Sequence, residues 1–373
     1  MTIQSIEFAG STGFTLGVEI EFQVVNRQSY DLVPHAPQLQ QSAPQLLQPR
    51  ISQELIKSIL EIQTGICRDL TDVENDLMQT CALAEELALD NDCLLFAASL
   101  HPFAKAREQE LSSDARYQRI MNELQIVGRR FISQGLHIHV GVADGDTAIR
   151  VCNVIQAYLP LFLALSTSSP FFEGEDTGLM SYRTVLFESL PLAGVYDYHP
   201  GWLEFEERVN KLRGLGIIDS ARDLWWDARP SPQFGTVEIR ICDLPYRFSD
   251  ILAIVSLVQA CVSWISEENI TTESLDTALV KANKWQVVRH GLHGRYLDPA
   301  GNIDGGQQKV SEAIKRLIDM IVSWSSELGS LEHLADIGQI LAEGTGTEFQ
   351  RRVLASSHDF KEIIKRGQEG FWK

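Results

Sequence analysis

The sequence predicts an α+β domain in which helices cover one face of an antiparallel sheet. Several predicted strands alternate polar and apolar residues, which is typical of a sheet with one buried and one open face. Helical segments separate these strands, but neither glycine-rich phosphate-binding motif of parallel-sheet nucleotide proteins occurs. No internal repeat or long linker divides the chain, so residues 1–373 are predicted to form a single domain.

The first predicted strand, residues 14–25, carries two carboxylates on one face. Glu19 and Glu21 lie two positions apart in LGVEIEF, and strand side chains alternate, so both point to the same side. A solvent-exposed face would explain them. A divalent cation such as Mg²⁺ would explain them too, because hard cations take oxygen ligands. This strand alone leaves both interpretations open.

A second carboxylate-bearing segment is SQELIKSILEIQTG, residues 52–65. Glu61 stands inside its apolar, strand-like run, and Glu54 precedes that run. Together with the first strand, this segment predicts several carboxylates that project from strands toward one face.

Helical patterns fill most of the remaining chain. Thr71 and Glu74 have the spacing of a capping box, which predicts a helix over residues 71–90. The other predicted elements are a strand at 93–99, a helix at 114–130, a strand at the end of 131–142, a long helix at 146–167 crossed by Pro160, helices at 202–213 and 250–266, a strand at 234–242, and mostly helical chain from 273 onward, broken by the glycine-rich segment 291–306.

The strand GLHIHVGV, residues 135–142, carries two histidines on one face. His137 and His139 are again two positions apart. They could be structural residues or ligands. Zinc is the obvious metal for a histidine pair, but no cysteine or carboxylate lies nearby at a recognisable zinc-ligand spacing. Zinc is therefore the weaker functional interpretation, and a structural role for the pair stays open.

The strand FGTVEIRICD, residues 234–243, places Glu238 and Arg240 on one face, and Asp243 follows at its end. A salt-bridge ladder between neighbouring strands would account for this pattern. Alternatively, Glu238 binds a cation and Arg240 binds a phosphate or carboxylate, which the planar guanidinium matches.

Charge and cysteine content exclude some classes of function. The formal net charge is −18, from 50 acidic and 32 basic residues, which argues against a nucleic-acid partner but not against a nucleotide. Six cysteines without a C-x-x-C pair predict reduced core residues in a cytoplasmic protein, and the N-terminus lacks a signal-peptide pattern. The apolar stretches 151–165 and 251–265 are short for membrane spans and predict buried helices, so no membrane partner is expected.

Eight stretches, in order along nearly the whole chain, resemble the bacterial carboxylate–amine ligase family, often called glutamate–cysteine ligase type 2, of the glutamine-synthetase-like superfamily. The small departures from the family pattern at Ile20, His290 and Phe349 remove no presumed ligand. The matching stretches are FTLGVEIEFQVV, EIQTGICRDL, HPFAK, RYQRI, GLHIHVGVADGD, ALSTSSPFFEGEDTGLMSYR, WWDARPSPQFGTVEIRICD and GTGTEFQRR.

The resemblance implies a glutamine-synthetase-like catalytic fold, a curved antiparallel sheet with helices on its outer face and ATP and metal ions such as Mg²⁺ on its concave face. It also implies that His137 or His139 completes the nucleotide–metal site. The arginines expected to bind phosphate or carboxylate groups are Arg116, Arg183 and Arg240. The implied metal ligands are Glu19, Glu21, Glu54, Glu61 and Glu238.

The implied reaction is an ATP-dependent ligation. The γ-carboxylate of glutamate would be activated as an acyl phosphate and joined to the amine of cysteine, or a related enzyme would use another carboxylate and amine. Two alternatives stay open at this point: a kinase that stops at the phosphorylated carboxylate, and a non-catalytic nucleotide-binding regulatory protein. A homo-oligomer is compatible with the sequence.

Overall fold

A seven-stranded antiparallel sheet lies at the centre of the computed structural model, which describes residues 5–272, 275–304 and 306–373. The strand order is β6-β7-β5-β1-β3-β2, and β4 pairs with the C-terminal part of β1. The strands are β1 Leu16–Asn26, β2 Ile51–Gln53, β3 Ile59–Gln63, β4 Cys93–Phe96, β5 Leu136–Gly141, β6 Ala228–Ser231 and β7 Thr236–Ile239.

Helices account for most of the remaining described chain. The α-helices are α1 Ala36–Ser42, α2 Leu70–Asp90, α3 Ala115–Leu124, α4 Gly145–Ile155, α5 Leu159–Ser166, α6 Tyr182–Glu188, α7 Trp202–Gly214, α8 Phe248–Glu267, α9 Thr277–His290, α10 Val310–Glu327, α11 Leu331–Ala335, α12 Ile337–Glu343, α13 Gly346–Ser357 and α14 Phe360–Gly370. Three pairs of two-residue strands lie outside the main sheet: Phe171–Phe172 with Glu175–Asp176, Ala193–Gly194 with Trp225–Trp226, and Arg295–Tyr296 with Gln308–Lys309.

Strand β1 is the hub of the sheet because it is the longest strand and pairs with β5, β3 and β4 along its length. Its apolar residues Val18, Ile20 and Phe22 are buried in the main core. The intervening residues Glu19 and Glu21 face the other way, as the alternation of strand side chains requires. The predicted division into an apolar face and a polar face is therefore confirmed.

The apolar face of the sheet is covered by α2, α4 and α8. Helix α8 is long and apolar enough to cross a membrane, but 94% of its most apolar window is buried inside the fold. It is the central core helix, as the sequence predicted for residues 250–266. All six cysteines are buried and free, which confirms that they are core residues.

The predicted long helix 146–167 is wrong in one respect, because two helices occupy this range. Helices α4 and α5 are bent by 69° at the break between them. Pro160 lies in the first turn of α5, where its missing N–H would have no partner within the helix. The same proline would have removed a hydrogen bond from an uninterrupted helix, so the chain bends just before it.

Three further boundaries differ from the predictions. The cap of α2 is Asp69, whose side chain accepts the Asp72 N–H, and not the predicted Thr71 box. Helix α3 ends at Leu124 because Gln125 has a φ of +50°, which a right-handed helix cannot continue through. Strand β6 was not predicted, since Pro230 breaks its pattern; as the outermost strand, β6 tolerates a proline.

The C-terminal part of the chain is helical from Thr277 onward, with a break in the glycine-rich segment, as predicted. Residues 273–274, where the predicted helical remainder begins, and residue 305 within the predicted break lie outside the described residues.

Candidate active site

The polar face of the sheet forms the floor of a cavity of about 540 Å³. Helix α3 and the chain around residues 131–133 and 187–190 contribute one wall, and the chain at residues 222–234 contributes another. All ten predicted site residues line this one cavity: Glu19, Glu21, Glu54, Glu61, Arg116, His137, His139, Arg183, Glu238 and Arg240.

Strand register explains how residues from distant parts of the sequence meet in the cavity. Glu21 of β1 lies opposite Glu61 of β3. On its other side β1 places Glu19 opposite His137 of β5, and the next pair along the sheet is His139 with Glu238 of β7. Opposite residues in antiparallel strands share a face and are close neighbours, so four strands present their polar side chains to the same space.

The first cluster in the cavity consists of Glu21, Glu54 and Glu61. One carboxylate oxygen from each lies within 4.8 Å of the others. Burial and the charge of Glu61 raise the pKa of Glu21 to about 8, and burial and the charge of Glu21 raise that of Glu54 to about 7. Burial and neighbouring carboxylates also raise the pKa of Glu61 well above its ordinary value. The positive charges of Arg183 and Arg240 lower the pKa of Glu21, but burial and the neighbouring carboxylates outweigh them.

Hydrogen bonds hold this carboxylate cluster in place. The Gly135 N–H donates to Glu21 at 2.6 Å. The Tyr117 hydroxyl donates to Glu54 at 3.1 Å, and the Ser52 hydroxyl donates to Glu61 at 2.5 Å. Tyr117 and Ser52 were not predicted from the sequence.

The second cluster consists of Glu19, His139 and Glu238, again with one ligand atom of each within 4.8 Å of the others. Burial opposes ionisation of Glu19, but hydrogen bonds to His137 and His139 outweigh it and hold its pKa well below the ordinary value. His137 Nδ1 lies 3.1 Å from Glu19 Oε2. Burial lowers the pKa of His137 to about 4, so it is a neutral donor near pH 7.

Glu238 is held by two arginines. Arg229 donates to it through Nε at 2.7 Å and Nη2 at 3.2 Å, and Arg240 donates through Nη1. Burial opposes ionisation, but these charges hold the pKa of Glu238 well below its ordinary value. The ion pair of Glu238 with Arg240 that the sequence left open is therefore present. Binding of an external anion by Arg240 stays a prediction.

Arg229 is a site residue that the sequence analysis missed. It lies on β6 directly opposite Glu238, in the stretch WWDARPSPQFG that precedes the predicted strand. The signal that could have revealed it is the PSPQFG turn, which folds residues 228–231 back on 236–239 as a hairpin.

The other two predicted arginines differ in their surroundings. Arg183 is buried, lies 5.1 Å over the Phe187 ring, and donates at 3.2 Å to the carbonyl oxygens of Arg240 and Ile241. Its Nε is buried without a partner among the described residues. Arg116 lies at the cavity mouth, half-exposed, in an ion pair with Asp223 at 3.1 Å.

The donor set fits a divalent cation with a preference for oxygen. Glu21, Glu54 and Glu61 are buried together without a compensating cation within their cluster, so a bound ion would remove their mutual repulsion. Glu19, His139 and Glu238 add a second group of donors on the same sheet face. Hard carboxylate oxygens dominate both groups, which suits Mg²⁺ better than zinc.

The chain is similar in sequence to two known bacterial proteins. The chain is 37% identical over 354 residues to a Solibacter usitatus protein provisionally named glutamate–cysteine ligase 2, covering 94% of this chain and 91% of that protein. A Gloeobacter violaceus protein with the same provisional name is 36% identical over 367 residues, covering 96% and 97%.

Solved structures share the fold. A glutamate–cysteine ligase from Francisella tularensis, in complex with AMP, matches with a TM-score of 0.68 at 14% identity, covering 97% of this chain and 89% of that one. A bifunctional glutathione synthetase from Pasteurella multocida matches with a TM-score of 0.71 at 13% identity, covering 95% and 52%. The sequence profile of glutamate–cysteine ligase family 2 matches residues 15–369. The chain therefore belongs to glutamate–cysteine ligase family 2, a family of ligases.

Proposed function

We propose that this chain is an ATP-dependent carboxylate–amine ligase that joins the γ-carboxylate of glutamate to the amine of cysteine, or a close relative that uses another carboxylate and amine. The observation that carries the proposal is the joint placement of two carboxylate clusters and three predicted arginines in one cavity. Family membership supports the reaction class, and the AMP bound to the Francisella protein supports an adenine nucleotide as a ligand.

The proposed reaction has two steps. An oxygen of the substrate carboxylate attacks the γ-phosphorus of ATP, and the bond to the β–γ bridging oxygen breaks, releasing ADP and leaving an acyl phosphate. The substrate amine then attacks the acyl carbon, phosphate leaves, the amine loses a proton to solvent, and an amide is formed. Phosphoryl transfer depends on positioning and charge neutralisation more than on a protein nucleophile.

The side chains divide this work by charge. Glu21, Glu54 and Glu61, and separately Glu19 and Glu238 with a histidine, are the residues that would hold Mg²⁺. When bound, Mg²⁺ supplies positive charge that neutralises the phosphate oxygens.

Arginines would act on the substrates themselves, and a neutral histidine would orient a proposed metal ligand. Arg240 is directed into the cavity floor, where a transferred phosphoryl group would need a donor. Arg183, which lines the same cavity, would bind the carboxylate of the donor amino acid, and Arg116 would bind carboxylate or phosphate oxygens. Neutral His137 holds Glu19 ionised and oriented through its hydrogen bond.

The test is ADP release with ATP and Mg²⁺ across a panel of amino-acid pairs, with glutamate and cysteine as the first pair. We expect ADP release that requires both amino acids, and formation of a hydroxamate when hydroxylamine replaces the amine. ADP release that requires only the carboxylate substrate and not the amine would favour a kinase, and no ADP release with any pair would favour a non-catalytic nucleotide-binding protein.

A further inference from the structure

Asp243 lies three residues beyond Arg240, is fully buried, and does not line the cavity. Its carboxylate accepts three hydrogen bonds. The Ser168 N–H donates at 2.9 Å, the Ser169 hydroxyl at 2.7 Å, and the Ser181 hydroxyl at 2.8 Å. These serines belong to the stretch ALSTSSPFFEGEDTGLMSYR, which ends at Arg183.

Two of these serines hold the first turn of α6, the helix that carries Arg183. Ser181 is the N-cap of α6 and accepts the Thr184 N–H at 3.3 Å. Ser169 accepts the Arg183 N–H at 3.1 Å. Because each hydroxyl donates to Asp243 and accepts from the helix, the carboxylate fixes the direction in which both serines can cap the backbone.

The side chain of Arg183 contacts the short segment between β7 and Asp243. Its Nη1 and Nη2 donate to the carbonyl oxygens of Ile241 and Arg240. A Cβ atom on Gly135 would lie only 2.5 Å from Arg183 Nη2, so the guanidinium fits against bare backbone there. The chain from Arg240 to Asp243 therefore holds α6 twice, through the Asp243 side chain and through the Arg183 side chain.

We propose that Asp243 is a positioning residue for Arg183, which it acts on through Ser169 and Ser181. The carboxylate holds the start of α6 against β7, which carries Glu238, and against the residues after β7, which include Arg240. Arg183 and Arg240 therefore keep a fixed separation in the cavity. The consequence for substrate binding rests on the proposed function, in which Arg183 binds the carboxylate of the donor amino acid. The consequence for the position of α6 is independent of the proposed function.

Asp243→Asn tests the inference because it keeps the shape of the side chain but replaces one acceptor oxygen by a donor group. We expect KM for glutamate to rise about 10- to 100-fold, as for a small misplacement of a binding group, with KM for ATP within a factor of two of the wild-type value. Arg183→Lys should raise the same KM, and the double variant should cost no more than the larger single change, because both act through Arg183.

Asp250→Asn is the matched control. Asp250 is equally buried and pairs with Arg247 at 3.0 Å at the start of α8, away from the cavity. A general loss of stability would affect both aspartate variants alike and leave both KM values unchanged. An unchanged KM for glutamate in Asp243→Asn, or additive effects with Arg183→Lys, would overturn the inference.

Hydrogen exchange provides a readout that does not depend on the reaction. In Asp243→Asn we expect faster exchange of the Arg183 and Thr184 amides, with β1 and β5 amides unchanged. If Asp243→Asn does not fold, Ser181→Ala removes one link alone and should show the same local pattern. Exchange that rises everywhere, or nowhere, would overturn the inference. Failure of the proposed function would instead appear as no ADP release by the wild-type protein.

Discussion

Glu21 is a residue whose burial beside another carboxylate lowers stability and which we propose as a metal ligand. It is buried beside Glu61, and both features raise its pKa to about 8. Glu21→Gln removes one source of repulsion but also one proposed metal ligand. We expect the metal-free variant to be at least as stable as wild type in urea at pH 8, while turnover falls and the Mg²⁺ concentration needed for half-maximal rate rises.

The exposed Glu86 of α2 offers a matched control for that experiment, since Glu86→Gln makes the same chemical change outside the cavity. It should alter neither the Mg²⁺ requirement nor turnover. Normal turnover of Glu21→Gln at low Mg²⁺ would show that Glu21 is not a metal ligand.

Arg240 and Arg229 make the same kind of contact with Glu238, so comparing them separates a structural from a functional arginine. Arg240→Lys keeps the charge but loses the planar fork. We expect it to lose at least 10-fold in kcat with a small change in melting temperature, since a bidentate contact to a phosphoryl group is worth more than a point charge. Rates and melting curves measured on folded protein decide this.

Arg229→Lys is the comparison variant for Arg240→Lys. If both arginines only support Glu238, the two substitutions should lower stability and rate in parallel. A large loss of stability in Arg240→Lys with full activity per folded molecule would mean that its role is the ion pair alone.

At the residue scale, the sequence was informative where local spacing determines direction. Glu19 with Glu21, His137 with His139, and Glu238 with Arg240 follow from the two-residue period of a strand. The position of Arg229 in the site was not predicted, because the neighbouring Pro230 interrupts the strand pattern around it. Tyr117 and Ser52 could not be inferred either, since their hydrogen bonds to glutamates depend on how distant segments pack.

Helix α3 has few buried residues and lines the cavity. Of its ten residues only Met121 is buried, while Tyr117, Ile120 and Leu124 line the cavity. Arg116 and Arg119 join it to Asp223 on the opposite wall. A helix held by so few buried contacts is expected to open at low free-energy cost.

Removing the helix cap tests this. Asp114 caps α3 by accepting the Arg116 and Tyr117 N–H groups. Asp114→Ala should destabilise α3 by about 1 kcal/mol. We expect higher KM values for the substrates with little change in melting temperature, because the rest of the fold does not depend on α3.

Asp69 caps α2, which packs on the sheet, and gives the matched substitution. Asp69→Ala should lower the melting temperature and leave KM values unchanged. If Asp114→Ala lowered the melting temperature as much as Asp69→Ala and left KM unchanged, α3 would be a structural helix without a role in substrate binding.

Element prediction succeeded where the pattern was long and local. Helix α8 and strand β1 were predicted within a few residues. The break between α4 and α5 depends on how Pro160 is accommodated, and the end of α3 depends on one residue with positive φ, neither of which periodicity reveals. The pairing of β1 with β3, β4 and β5 joins segments far apart in sequence, so sheet order could not be derived from local patterns.

At the scale of the whole molecule, the two faces of the central sheet have different roles. Its apolar face supports the core helices, and its polar face gathers five glutamates in one cavity. The net charge of −18 adds to this concentration of acidic groups. Stability is therefore expected to depend on pH through buried groups as well as through general repulsion.

His101 is a buried histidine whose protonation is expected to affect the stability of the whole fold. It is fully buried after β4, its Nε2 lies 2.9 Å from the Tyr30 carbonyl oxygen, and its Nδ1 accepts the Ala104 N–H at 3.0 Å. Burial lowers its pKa to about 4. Protonation at Nδ1 would remove that acceptor, so the folded state keeps His101 neutral.

The direction of the pH effect follows from comparing the two states. As pH falls below about 6.5, the unfolded chain takes up a proton at this histidine while the folded chain does not until about pH 4. His101 should thus cost roughly 3 kcal/mol of unfolding free energy between pH 7 and pH 4.

We expect the difference in unfolding free energy between wild type and His101→Gln, measured in urea, to fall by about that amount. The exposed His290 serves as control, because His290→Gln makes the same chemical change at the surface. A wild-type to His101→Gln difference that is flat from pH 7 to pH 4 would mean that His101 accepts a proton in the folded state, and the hydrogen bond from Ala104 would then not hold the neutral form.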